Sequence, residues 1–163
     1  MVTQALREVV PVSASAIRDG LQNAQLKGRF QLLQRKNRIL LDVGHNPQAV
    51  ASLRSYLQEY FGGVKIHAVF AMMRDKDIGE VISLMRGGVD HWYLAPLNNP
   101  RAASVEQVLN YFRQHDVGNV ASHFANFEHA FFSAEECASG DDLIVIFGSF
   151  FLVSEYLSKF AQR

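Results

Sequence analysis

Short apolar runs that each end in a polar cluster and then give way to an amphipathic helix recur along this chain, and this alternation constrains its fold more than any other feature. The sharpest instance is Arg38-Ile39-Leu40-Leu41-Asp42-Val43-Gly44-His45-Asn46-Pro47. Ile39 to Leu41 predict a strand buried on both faces. Asp42 puts a carboxylate at its end, and Val43-Gly44 predict a tight turn. Asn46 can cap a helix by accepting a hydrogen bond from a free N–H, and Pro47 suits the first helical position. A carboxylate and an imidazole therefore meet at a strand-to-helix junction, which in open parallel sheets faces the ligand crevice. A plain capped turn with an incidental acid and histidine fits the same residues.

The rest of the chain extends the pattern. Phe30–Gln34 reads as a first strand, and Arg35-Lys36-Asn37 as a hairpin turn into Arg38–Leu41. That turn is too short for a parallel crossover, so the pair is expected to be antiparallel. Further strands are expected over Lys65–Met72, His91–Ala95, Val120–Phe124 and Asp142–Phe147. Helices are expected over Pro47–Phe61, from Asp77 to Arg86, behind the Ser104/Gln107 capping box, over Phe127–Ala138, and after Gly148-Ser149. Strand–helix alternation argues a mainly parallel sheet with helices on both faces, the first strand being its antiparallel edge. Residues 1–23 carry too few large apolar groups for a domain; Ser15–Gln22 reads as a short helix ending near Gly20.

Composition narrows the function classes. A chain of 163 residues suits one domain with a sizeable core. Sixteen basic residues balance sixteen acidic ones, so no charge excess points to nucleic acid or an anionic membrane surface. The single cysteine, Cys137, excludes an internal disulfide and fits a reducing compartment. No apolar run approaches the roughly 20 residues of a membrane span, and residues 1–16 lack the pattern of a signal peptide. A cytoplasmic location is the expectation.

Polar residues collect after the strands: Asp42 and His45; Arg74, Asp75, Lys76 and Asp77; Asn98, Asn99 and Arg101; Asn126; then Gly148 and Ser149. One edge of a parallel sheet would gather them beside several helix N-termini, which favour anions. Blander roles compete. Asp77 and Ser104 read mainly as caps, and Lys76 between two aspartates fits a solvated ion pair. His67 reads as a core histidine, Cys137 as an inert thiol, and Phe150 and Phe151 as helix packing. His91, His115, His123 and His129 show no metal-ligand spacing, and no metal site is expected. The sequence contains no Gly-x4-Gly-Lys-Ser/Thr phosphate loop, no Gly-x-Gly-x-x-Gly fingerprint and no nucleophile elbow.

Five segments in order carry a family resemblance: Leu26-Lys27-Gly28-Arg29-Phe30-Gln31, Leu41-Asp42-Val43-Gly44-His45-Asn46-Pro47, Arg74-Asp75-Lys76-Asp77-Ile78, Ala95-Pro96-Leu97 with Pro100-Arg101, and Phe147-Gly148-Ser149-Phe150. Together they resemble the C-terminal domain of bacterial folylpolyglutamate synthases of the bifunctional dihydrofolate synthase type, within the Mur ligase superfamily. The resemblance runs from about Ser13 to the end of the chain; Lys27 departs from the proline usual before Gly-Arg.

The resemblance implies a Rossmann-like three-layer α/β sandwich of about six mostly parallel strands with one antiparallel edge strand. Residues 24–163 would form the glutamate ligase domain, and 1–23 the lead-in from a central domain that supplies the phosphate loop and magnesium ligands. It implies ATP-dependent addition of L-glutamate to dihydropteroate, or to the γ-carboxylate of a folate, through an acyl phosphate. By position, Arg29 would approach the ATP phosphates and Asp42 the ribose. His45 would lie near the reacting phosphate and the incoming glutamate, and Lys76 and Ser149 would bind a glutamate carboxylate. Asn46 would join them only beside its cap role. The fragment alone is expected to be inactive. A domain of a sister Mur-type ligase and a non-catalytic α/β binding module are the alternatives.

Overall fold

A computed structural model describes residues 12–23 and 26–160. The first eleven residues of the expected lead-in lie outside the described residues. Helix α1 spans Ala14–Asn23. It opens where the Ser13 hydroxyl accepts the Ala16 N–H (3.1 Å), and it continues through Gly20 instead of ending there.

Strands β1 (Gln31–Gln34), β2 (Arg38–Asp42), β3 (Ile66–Phe70), β4 (His91–Leu94), β5 (Val120–Ala121) and β6 (Leu143–Phe147) form one sheet in the order β1-β2-β6-β3-β4-β5. Only β1 runs antiparallel, against β2. The other helices are α2 (Pro47–Tyr60), α3 (Ile78–Met85), α4 (Val105–Gln114), α5 (Phe127–Cys137) and α6 (Phe150–Phe160).

The chain steps outward from β2 through β3 and β4 to β5, then returns to insert β6 between β2 and β3. Right-handed crossovers place the helices of the outward steps on one face and that of the return on the other. Accordingly α2, α3 and α4 pack with Leu40, Phe70, Trp92 and Val145, while α5 and α6 pack with Ile39, Leu41, Val69 and Ile146. Strands β3 and β6 are buried at every position, as their unbroken apolar runs require.

The register brings the site together. Asp42 pairs with Phe147, Phe147 with Phe70, and Phe70 with Leu94. The carboxyl ends of β2, β6, β3 and β4 thus finish level, and the loops leaving them share one rim.

Candidate functional site

Four caps shape that rim. The side-chain carbonyl of Asn46 accepts the Ala49 N–H (2.9 Å), and the carboxylate of Asp77 accepts the Glu80 N–H (3.1 Å). Ser104 and Gln107 close the expected capping box. Ser149, only 2 % exposed, accepts the Phe151 N–H with its hydroxyl oxygen (3.1 Å) and so starts α6. Each cap turns a helix N-terminus toward the end of a strand, where partial positive charge gathers.

Asp42 is 2 % exposed. One carboxylate oxygen accepts the Gly44 N–H (2.7 Å) and the other the Phe30 N–H (3.1 Å). The close approach explains Gly44: a β-carbon there would stand 2.6 Å from the Asp42 oxygen. Burial pushes the Asp42 carboxyl above the ordinary carboxylate range, against the pull of those two N–H donors and of the Arg29 guanidinium. The second bond fixes the Arg29 loop, which is also tied to β2 by the Val43 N–H on the Gly28 carbonyl (2.7 Å). Phe30 leaves the expected first strand because its φ of 44° turns the backbone into the left-handed region.

Behind this rim lies a cleft of about 200 Å³ lined by His45, Met73, Lys76, Arg101, Gly148, Ser149, Phe150 and Phe151. His45, Lys76 and Ser149, expected together from sequence, do meet there. The His45 Nδ1 lies 2.9 Å from the Val43 carbonyl oxygen. Because that oxygen only accepts, Nδ1 carries the proton of the neutral ring and Nε2 is left as an acceptor. Lys76 Nζ lies 3.4 Å from Asp75, whose two oxygens also receive the Arg101 guanidinium at 3.1 and 3.2 Å. Slight burial opposes ionisation of Asp75, but Arg101 and Lys76 outweigh it and hold the carboxyl below its ordinary range. Two cations therefore share one carboxylate, leaving the cleft with net positive charge. Arg29 stands at the mouth, its guanidinium 5.9 Å from the centre of the Phe150 ring. Asn46 does not line the cleft; its side chain is engaged in the cap.

Sequence reasoning gave no ligand role to Arg101 and read Phe150 and Phe151 as helix packing. The structure corrects the second reading: both rings are 52 % exposed and both line the cleft. The available signal was position, since all three residues follow a strand end as Lys76 and Ser149 do.

Comparison with known proteins decides the family. The family described as Mur ligase, glutamate ligase domain, matches residues 28–150. This chain belongs to that family. The glutamate ligase domain is similar to the dihydrofolate synthase/folylpolyglutamate synthase of Escherichia coli strain K12, with 36 % identity over 93 % of the chain and 35 % of the relative. It is also similar to the enzyme of the same name from Buchnera aphidicola of Schizaphis graminum, at 33 % identity over 90 % of the chain and 34 % of the relative. Among solved structures, E. coli FolC in complex with ADP superposes with a TM-score of 0.85 at 35 % identity, over 98 % of this chain and 38 % of that one. A bifunctional folylpolyglutamate synthase/dihydrofolate synthase with Mn, AMPPNP and L-glutamate bound superposes with a TM-score of 0.80 at 35 % identity, over 91 % of this chain and 35 % of that one. The glutamate ligase domain thus spans about a third of the length of these relatives.

Proposed function

We propose that residues 24–163 are the C-terminal domain of an ATP-dependent ligase that adds L-glutamate to dihydropteroate or to the γ-carboxylate of folates, and that residues 1–23 lead in from a central domain carrying the phosphate loop. The observation that carries this reading is the meeting of His45, Lys76, Arg101 and Ser149 around one positive cleft, with Arg29 at its mouth. The relatives' structures with ADP, AMPPNP, Mn and L-glutamate bound support it. We place the protein in the cytoplasm; among the described residues no helix is long and apolar enough to cross a membrane.

In this reaction ATP phosphorylates the acceptor carboxylate, the glutamate amine attacks the acyl phosphate, and an amide forms as phosphate leaves. Arg29 suits the phosphate side because its charge is permanent and its fork matches phosphate oxygens. Lys76 and Ser149 suit a glutamate carboxylate, and the bare Nε2 of His45 suits a proton leaving the glutamate amine. Asp42 holds the Arg29 loop and in this reading helps position the nucleotide through that loop. Magnesium, used by this chemistry to hold the triphosphate, does not fit here. Among the described residues no three His, Cys, Asp or Glu side chains gather into a metal site, and both Asp42 oxygens are turned to main-chain N–H groups. Its ligands are assigned to the central domain.

The test joins this chain to the phosphate-loop portion of the E. coli relative. L-Glutamate-dependent ADP release is expected with dihydropteroate or folate and not with a muropeptide acceptor, while the chain alone releases none. Arg29→Ala and His45→Ala are each expected to lower the rate by about 100-fold or more. Full activity in both variants would overturn their assignment, and preference for the muropeptide would move the chain to a sister ligase.

A further inference from the structure

Resting on that ligand reading, we propose that Phe150 is a positioning residue whose ring holds Arg29 and His45 in place across the mouth of the cleft. Phe150 is the first residue of α6, directly after the buried Gly148 and Ser149. Its backbone is therefore fixed from below. Gly148 adopts φ 106°, and a β-carbon there would meet the Ala71 carbonyl oxygen at 2.7 Å. The Ser149 hydroxyl oxygen holds the first helical turn.

The Phe150 side chain is not spent on the core. It is 52 % exposed, while the same helix buries Leu152, Val153 and Tyr156. Its ring touches the two groups that most need holding. The His45 ring centre lies 5.6 Å away at 56°, and the Arg29 guanidinium lies 5.9 Å from the ring centre.

Among the described residues the Arg29 guanidinium makes no hydrogen bond or ion pair, and His45 Nε2 has no partner. The nearby acid cannot take over, because the Asp42 oxygens are turned to the Phe30 and Gly44 N–H groups. An aromatic face attracts a guanidinium without occupying its in-plane donors. A carboxylate would hold Arg29 more tightly but would consume the donors and cancel the charge that an anionic ligand requires. The same ring limits the swing of the imidazole that is tethered at Nδ1. One apolar side chain thus orders a cation and an acceptor and neutralises neither.

The test uses this chain, with proton–nitrogen and proton–carbon NMR reading the Arg29 side chain and His45 ring, and with titration of inorganic tripolyphosphate as the probe of Arg29. In the wild type both groups should carry the upfield displacement caused by a neighbouring ring. Phe150→Leu should remove it and weaken tripolyphosphate by about three- to tenfold, with little change in urea unfolding. Phe150→Tyr should recover both the displacement and the affinity. Arg29 and His45 signals unmoved in Phe150→Leu would overturn the proposal. So would a lost displacement with the same tripolyphosphate affinity in all three proteins. Signals that respond as expected in a wild type that binds no tripolyphosphate would overturn the ligand reading of the cleft and uphold the role of the ring.

Discussion

A buried carboxylate that accepts two main-chain N–H groups does structural work whatever else it touches, and Asp42 is such a group. Asp42→Ala leaves both donors without an acceptor inside the fold, and each such donor costs about 1–3 kcal/mol. Urea unfolding at neutral pH should show a loss of about 2–4 kcal/mol. Ionisation works in the opposite direction. The folded-state pKa of Asp42 lies above its ordinary 3.8 because of burial. The folded chain therefore binds more protons than the unfolded one between those two values. The contribution is fully present below pH 3.8 and is lost as pH rises through the raised value. Asp42→Asn should abolish that decline in an unfolding series from acid to neutral pH. At Gly148 the conflict is steric: φ of 106° and a backbone oxygen 2.7 Å from any β-carbon leave no room for alanine. Gly148→Ala should lower stability by about 2–4 kcal/mol, read as a fall in the unfolding midpoint.

Among the elements, β3 carries a second polar cluster at the end of the sheet remote from the cleft. His67 is buried, with Nδ1 3.2 Å from the Tyr93 hydroxyl and Nε2 3.4 Å from Asp142, an ion-pair separation outside good hydrogen-bond geometry. The ring also stacks on His91 at 5.1 Å. Burial, helped by His91, holds the His67 pKa below its ordinary 6.5 in spite of Asp142 and Asp90. The unfolded chain protonates first, so stability is present above pH 6.5 and falls as pH drops toward the lowered value. Asp142 is also lowered, chiefly by the Ser139 N–H and further by His67, so its loss belongs to a separate window below 3.8. His67→Gln should flatten the upper window and reduce the lower only in part, since the Ser139 N–H remains on Asp142, measured by urea unfolding across both. The sequence reading of His67 as a core histidine stands, and Cys137 is a free, exposed thiol at the end of α5.

Legibility at this scale followed locality. Caps at Asn46, Asp77 and Ser104 were readable because donor and acceptor lie three residues apart. The antiparallel hairpin was readable because its turn is short. Phe30, Phe150 and the Asp75–Arg101 pair were not, because their conformations are set by residues 12 to more than 100 positions away, which no local pattern encodes.

For the molecule as a whole, the level ends of four parallel strands turn dispersed motifs into one surface. Strand and helix types came through from the hydrophobic pattern, and the strand order with β6 inserted between β2 and β3 did not, since pairing partners share no sequence signal. A ligand of the folded cleft must raise global stability by mass action. L-Glutamate at saturating concentration should therefore raise the thermal midpoint of this chain, and Lys76→Ala should remove the rise. A shift of equal size in that variant would take the amino acid away from this cleft.

The bond from the Val43 N–H to the Gly28 carbonyl has a mechanical consequence. It clamps the loop bearing Arg29 onto the tip of β2, so the backbone of that loop is tied to the sheet. In any opening or closing motion the guanidinium then travels as freight of the sheet, arriving and departing together with His45 and Lys76.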